Sequence, residues 1–290
     1  MHRHGAETKI MNHPCFDADA SLHWARVHLP VAPECNIVCA YCDRRYDCVN
    51  ESRPGVASSM MTPEEACRHL RNTLTTTSNT SVAGIAGPGD PMATPETTLA
   101  AIRLIGKMRV NLCLSTNGLN LAEYVPELKH LGVGYVTLTI NAVDPVIGGQ
   151  ICLAVRYRGK TFTGSEGAAF LFRQQTEALV ALKRYGMTVK INTVVIPGIN
   201  DTHVIEIARF AAAYRADYMN CLGLIPLAGT PMSDIHAPTP AMMQEIRNMA
   251  GLHIRQMRHC ARCRADASGL LSSVKATAVL HDYPASEAIA

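Results

Sequence analysis

Residues 26–42 read RVHLPVAPECNIVCAYC, an alternating apolar run that leads straight into a loop carrying Cys35, Cys39 and Cys42. Three soft thiolates in a C-x3-C-x2-C spacing hold three irons of a 4Fe-4S cube, with no fourth cysteine at ferredoxin spacing. A cube with one open iron can chelate the amino and carboxylate groups of S-adenosylmethionine, and radical chemistry starts there. A zinc site or redox pair made from Cys39 and Cys42 would leave Cys35 idle and Tyr41 unexplained.

The rest of the chain has to supply a scaffold for that loop. With 290 residues, 48% hydrophobic and 18% charged, it is long enough for one large soluble domain. Eleven cysteines would suit a small secreted disulfide scaffold, but the chain is not small. Its start, MHRHGAETK, leads into no apolar core with a cleavage site. Cytoplasmic metal ligation is the expectation. No run approaches the roughly 18 to 20 apolar residues of a membrane helix. A net charge of +3 is too weak and scattered to argue for nucleic acid.

Strand-like and helix-like runs alternate. Period and punctuation predict strands over Arg26–Val31, Ser81–Ala86, Val110–Ser115, Tyr135–Ile140, Thr188–Ile196 and Tyr218–Ile225. Amphipathic stretches between them predict helices over Pro63–Leu74, Pro95–Met108, Tyr124–Leu131, Glu166–Tyr185 and Thr202–Tyr214. Six strand-then-helix units favour an α/β fold, a parallel sheet curled into a partial (β/α)6 TIM barrel. The expected organisation is an N-terminal extension over 1–23, the barrel over 24–258 and a C-terminal extension over 259–290.

Ligands in parallel α/β folds sit at the carboxyl ends of the strands. The loops there are rich in chemistry: after the cysteine loop come Gly87-Pro88-Gly89-Asp90-Pro91, Thr116-Asn117-Gly118, Asn141-Ala142-Val143-Asp144-Pro145 and Pro197-Gly198-Ile199-Asn200-Asp201. Glycines let a backbone approach a ligand, and Asn, Asp and Thr offer hydrogen bonds to an amino acid or ribose. Such residues also simply make turns. For S-adenosylmethionine the candidates are the backbone of Gly87, Pro88, Gly89 and Asp90, with Ser115, Asn117 and Asn192.

Cys260 and Cys263 form a second C-x2-C pair in HCARCRADASGLL, and Cys15 and Cys48 lie on polar, turn-rich segments. The gap between the two C-x2-C pairs is far longer than a zinc ribbon's roughly 15 to 20 residues, which favours further iron-sulfur sites. Cys67, Cys152 and Cys221 read as buried small hydrophobes. His28, alternating with apolar neighbours, reads as a core histidine.

The stretches NHPCF, ARVHLPVAPECNIVCAYCDRRYDCVNESRPGV, GIAGPGDP, LCLSTNGL and CARCRADASGLL together resemble the NifB family, the radical SAM maturases of nitrogenase cofactor assembly. The chain resembles the family's short form, without the NifX-like domain. The resemblance implies a radical SAM barrel with cluster-binding extensions and a lyase-type carbide synthase. Two 4Fe-4S precursors would be fused with an extra sulfur and a carbon from S-adenosylmethionine into the eight-iron core of the cofactor. One S-adenosylmethionine would give its methyl to a cluster sulfide, and a second would yield the 5′-deoxyadenosyl radical that abstracts hydrogen from it.

Carried over by motif, Cys35, Cys39 and Cys42 ligate the S-adenosylmethionine cluster. Cys15, His28, Cys48, Cys113, Cys260 and Cys263 are candidates for the two precursors, making three 4Fe-4S clusters. Cys260 pairs with Cys263 and His28 with Cys113, while Cys15 and Cys48 supply third ligands in an order left open. Glu51 is an alternative oxygen ligand or proton acceptor, or an exposed carboxylate in an ion pair. Expected partners are iron-sulfur donor, electron donor and nitrogenase cofactor scaffold or carrier proteins, in an anaerobic cytoplasm. The rival functions are a radical SAM peptide maturase with auxiliary clusters and a non-catalytic iron-sulfur carrier.

Overall fold

In the computed structural model, which describes residues 13–273, the chain forms ten strands. They are β1 (Ala25–Pro30), β2 (Ile37–Cys39), β3 (Thr80–Ala86), β4 (Asn111–Thr116), β5 (Val133–Thr139), β6 (Cys152–Tyr157), β7 (Lys160–Thr163), β8 (Thr188–Val195), β9 (Tyr218–Gly223) and β10 (Ser268–Gly269). The main sheet runs β10-β1-β3-β4-β5-β8-β9 and curls into a half-barrel. Its six long strands are parallel, and β10 lies antiparallel on the outer edge of β1. These six are the strands that apolar periodicity predicts, shifted by one or two residues at their ends.

The five predicted helices fall at Pro63–Thr76, Pro95–Ile105, Leu121–His130, Gly164–Arg184 and Val204–Ala213. The first starts with a capping box: Thr62 accepts from the Glu65 N–H and Glu65 reaches back to the Thr62 N–H, satisfying two otherwise orphan donors. The helices' apolar stripes cover the sheet's outer face in one core that includes Leu70, Ile85, Ile102, Leu114, Val136 and Ile191, each no more than 1% exposed. Burying each such side chain contributes about 2 kcal/mol.

Besides the short helices Ala20–His23 and Pro145–Ile151 and the turn Leu271–Ser273, three features outside the predicted alternation shape the site. Strands β2, β6 and β7 make a small antiparallel sheet beside the cysteine loop, and helix Pro240–Gly251 follows β9, capped by Thr239. The third is a strap over residues 255–269. Gln256 bridges Met219 at the free edge of β9, with Met219 N–H donating to Arg255 and Met257 N–H to Met219. The strap then crosses to β10 on the edge of β1, so both open edges of the half-barrel are joined by one segment.

Phe16 packs among Val82, Cys113, Tyr135 and Tyr218 near the strands' starting ends. Residues 13–16 thereby floor the barrel. Of the expected extensions, residues 1–12 and 274–290 lie outside the described residues.

Candidate functional site

The cysteine loop is held against the glycine-rich loop after β3 by backbone contact. Gly89 N–H donates to Ala32 and Asp90 N–H to Glu34. A Cβ on Gly89 would sit 1.8 Å from the Glu34 carbonyl oxygen, and one on Gly87 2.3 Å from that of Ala32. Glycine is required at both places by loop packing, whatever binds there. The Asp90 carboxylate is occupied by Met92 N–H, Thr116 Oγ1 and Asn117 N–H. Arg44 clamps the same two loops by donating to the Pro88 and Pro33 carbonyls. Asn117 Nδ2 lies 3.9 Å from Cys35 Sγ and donates to Asn36.

Cys35, Cys39 and Cys42 are free thiols that perturb one another electrostatically. Burial pushes Cys35 up to about 12, raises Cys42 and holds Cys39 well above its ordinary range. Such thiols ionise when a metal displaces the proton. Soft donors clustered on one loop fit the iron-sulfur group the spacing predicts. Tyr41 is fully buried behind them, its hydroxyl donating to Asn50 and accepting from Asn141. A cavity with about 410 Å³ of empty space opens beside Cys39, lined also by Asn117, Thr139, Asn141, Cys152 and Gln175. Cys152, paired with Cys39 in the β2–β6 register, is therefore a wall of this cavity as well as a buried small side chain. Cys221 is fully buried. Cys67 departs from expectation: it is only partly buried at the helix rim, with Arg71 3.7 Å away.

A second cavity, with about 680 Å³ of empty space, lies inside the barrel toward the floor. Cys15, His28, Cys113, Cys260, Cys263 and Glu51 all line it, as do Ser115 and Asn192. Register explains part of this. His28 pairs with Gly84, and Gly84 with Cys113, so one row across β1, β3 and β4 presents imidazole, an empty place and thiol. A Cβ on Gly84 would come within 3.2 Å of the His28 ring. The next rows carry Ser115, Thr137 and Lys190, then Asn192 and Asn220. Floor and strap complete the wall: Cys15 comes from below, Cys260 and Cys263 from the side.

His28 Nδ1 lies 3.1 Å from the Arg264 carbonyl, which can only accept, so the proton sits there and Nε2 keeps its lone pair. Burial lowers its pKa to about 4. Burial pushes Cys15 to about 11 and Cys113 to about 12, with Lys190 opposing in both. The electrostatic neighbours of Cys15 include Cys263 and Cys260. Arg26, wholly buried, places Nη2 2.9 Å from Cys263 Sγ and donates Nη1 to the Gly269 and Leu270 carbonyls. Among the described residues no three His, Cys, Asp or Glu side chains converge as one bare ion requires. A cube's ligands stand apart on its corners, so spread thiols around a roomy cavity suit a cluster better than zinc.

Segment 48–52 separates the two cavities. Cys48 is absent from the lower cavity's lining and perturbs with Glu51, Cys42 and Cys35. Glu51 faces the lower cavity, and burial raises its carboxyl to about 8 against a hydrogen bond with Ser115. It is not the exposed carboxylate weighed as one alternative. The partition is pinned from three sides, with Asn192 Nδ2 donating to Asn50, Arg53 N–H to Cys263, and Ala265 N–H to Asp47.

Periodicity did not single out His13, Arg26 or Lys190. For the last two the available signal was a charge on an otherwise apolar inward strand, which is rarely buried without a partner. His13 stands beside Cys15 in NHPCF, where a lone histidine has no periodic context.

The radical SAM superfamily pattern matches residues 29–211. The chain belongs to the radical SAM superfamily, whose members use a 4Fe-4S cluster and S-adenosylmethionine. It is also NifB-like. It is 48% identical over 268 residues to the FeMo cofactor biosynthesis protein NifB of Chlorobaculum tepidum, covering 91% of this chain and 63% of that one. Against the protein of the same name from Azotobacter vinelandii it is 42% identical over 269 residues, covering 91% and 53%. It therefore spans only part of these relatives. Methylornithine synthase (PylB) shares the fold, with a TM-score of 0.53 at 14% identity over 80% of this chain and 70% of that one. Among the described residues no helix is long and apolar enough to cross a membrane.

Proposed function

We propose that this chain acts in nitrogenase cofactor biosynthesis as a carbide-forming radical SAM enzyme of the lyase type. Two 4Fe-4S substrates would be joined in the lower cavity with an extra sulfur and a carbon from S-adenosylmethionine. One observation carries the reading: behind the three-cysteine loop, a separate roomy cavity is lined by five further soft donors, Cys15, His28, Cys113, Cys260 and Cys263. A passive carrier has no need of a three-cysteine loop beside such a cavity, and a peptide maturase would have to admit a peptide to it.

In this reading Cys35, Cys39 and Cys42 hold the resident cluster, which supplies the electron that cleaves S-adenosylmethionine. Asn117 stands beside it, with the loop over Gly87, Pro88, Gly89 and Asp90 next to it, while Ser115 and Asn192 face S-adenosylmethionine from the lower cavity. Cys15 joins Cys260 and Cys263 around one substrate cluster, supported by their shared place in the lining of the lower cavity. Cys48, on the partition and outside the lower cavity's lining, supplies a ligand to the other substrate, held otherwise by His28 and Cys113. Glu51, holding a proton near neutral pH, is placed to take or give protons as the methyl group is stripped. The division into 1–23, 24–258 and 259–290, the donor and carrier partners and the anaerobic cytoplasmic setting belong to the same proposal.

The test is to incubate reconstituted protein with S-adenosylmethionine and reductant. Expected products are 5′-deoxyadenosine, S-adenosylhomocysteine and an eight-iron cluster that activates cofactor-free nitrogenase. Formation of 5′-deoxyadenosine alone, with no larger cluster, would overturn the carbide-forming reading.

A further inference from the structure

His13 and His28 line the same cavity in opposite protonation geometry. His28 turns Nδ1 to a carbonyl, as described, so its Nε2 carries a lone pair. His13 turns Nδ1 to a donor: it accepts the Cys15 N–H at 3.2 Å. A neutral ring whose Nδ1 accepts carries its proton on Nε2. His13 therefore presents an N–H where His28 presents a ligand atom. To bind iron through Nε2 it would have to protonate Nδ1 against the Cys15 N–H, putting two donors face to face.

That N–H has no acceptor among the described residues. His13 is 1% exposed, and its Nε2 is buried with no hydrogen-bond partner. The ring cannot swing to find one, because Phe16 and Tyr135 pack on it with centroids 4.4 and 4.5 Å away. Lys190 repeats the pattern from β8. It is 6% exposed, and among the described residues Nζ has only the Cys15 carbonyl at 3.5 Å, Met257 Sδ at 3.7 Å and the Phe16 ring at 4.7 Å. It makes none of the ion pairs found among the described residues. A buried donor without an acceptor is rare and costly; His13 Nε2–H is one, Lys190 is a buried cation held only by long contacts, and both flank Cys15. They call for an anionic acceptor in the cavity.

We propose that His13 Nε2–H and Lys190 Nζ–H hydrogen-bond the inorganic sulfide face of the iron-sulfur substrate seated on Cys15, making them positioning residues rather than ligands. The inference rests on the proposed reading of the cavity. Donors to a cluster sulfide withdraw charge from it, raise its potential and fix its orientation.

The test uses full-length protein reconstituted with iron and sulfide in a Cys35→Ala, Cys39→Ala, Cys42→Ala background, so that only cavity iron is seen. His13→Phe, which keeps the packing, and Lys190→Met should bind as much iron as the background but titrate at lower potential. His13→Gln, which keeps an N–H, should return toward the background potential. Pulsed resonance in deuterated water should show exchangeable deuteron couplings that weaken in His13→Phe and in Lys190→Met and vanish when both are changed. Unchanged potential with the couplings intact overturns the proposal. So does loss of iron in His13→Phe and His13→Gln alike, which would mark a packing role. A 15N-histidine coupling that survives His28→Ala but not His13→Phe would make His13 a ligand and also overturn it. If the background variant binds no iron at all, the reading of the cavity falls first and takes this inference with it.

Discussion

The cysteine loop and the lower cavity hold similar chemistry but are built in opposite ways. The loop's three thiols come from eight consecutive residues, Cys35 to Cys42, steadied by a facing loop whose glycines let two backbones touch. The cavity gathers its donors from Cys15, His28, Cys113, Cys260 and Cys263, held by strand register, a floor and a strap. A site written in one stretch is encoded locally and survives damage elsewhere. A site assembled across the whole chain exists only when the fold is complete. The two should therefore fail independently, and each prediction below tries to break that separation.

The largest effect is expected from Cys39→Ala. It should abolish 5′-deoxyadenosine formation and remove about four irons, one cube, while cavity iron stays. Iron counting beside product analysis checks this, and retained cleavage would end the assignment of the loop. Next comes the double change Cys260→Ala with Cys263→Ala. Reduction of the loop's cluster should persist, whereas eight-iron product formation should stop. Competent product from that variant would make the pair structural.

Gly89→Ala sharpens the comparison from the side of packing. Its Cβ would overlap the Glu34 carbonyl, so the two loops must part at a cost of about 3 kcal/mol. Urea denaturation should report the loss, and occupancy of the loop's cluster should fall while cavity iron holds. The smallest effect separates metal-free from loaded protein. Cys35 and Cys113 have an ordinary value of 9.0, pushed by burial to about 12 when folded. Above pH 9 the unfolded chain releases these protons and the folded one keeps them, so stability is full below that point and is lost as pH rises toward 12. Thermal melts of metal-free protein should fall between about pH 8 and about pH 10.5. Loaded protein, whose ligands have already shed their protons, should change less. Equal slopes for the two forms would mean these thiols bind no metal.

How much was legible in the sequence follows the same division. The six parallel strands announce themselves by apolar runs and turn residues, and the cysteine spacing by itself. Strands β6 and β7 do not, because CLAVRY and KTFT are short and half-exposed, with order imposed by pairing to β2. Helix Pro240–Gly251 did carry a readable start, Thr239 followed by Pro240. The strap has no periodicity to read, since its hydrogen bonds go to two distant sheet edges. By periodicity the cavity was only scattered cysteines and a core histidine; its candidate donors came from the motifs that resemble NifB. That Gly84 clears a place between His28 and Cys113 is a fact of register, which no linear pattern contains.

The strap has a consequence for how the protein is made. Arg26 reaches the Gly269 carbonyl across 243 positions, so the chain must be synthesised at least as far as Gly269 before β10 can lie against β1. Contacts of such long separation form late. A ribosome still reading the middle of the message already displays the three-cysteine loop, able to collect iron, while the chamber meant for substrate stays a trough missing one wall. On the proposed function, translation itself separates the two loading events in time: the catalyst can be equipped first, and the workpiece has nowhere to sit until the strap has been made.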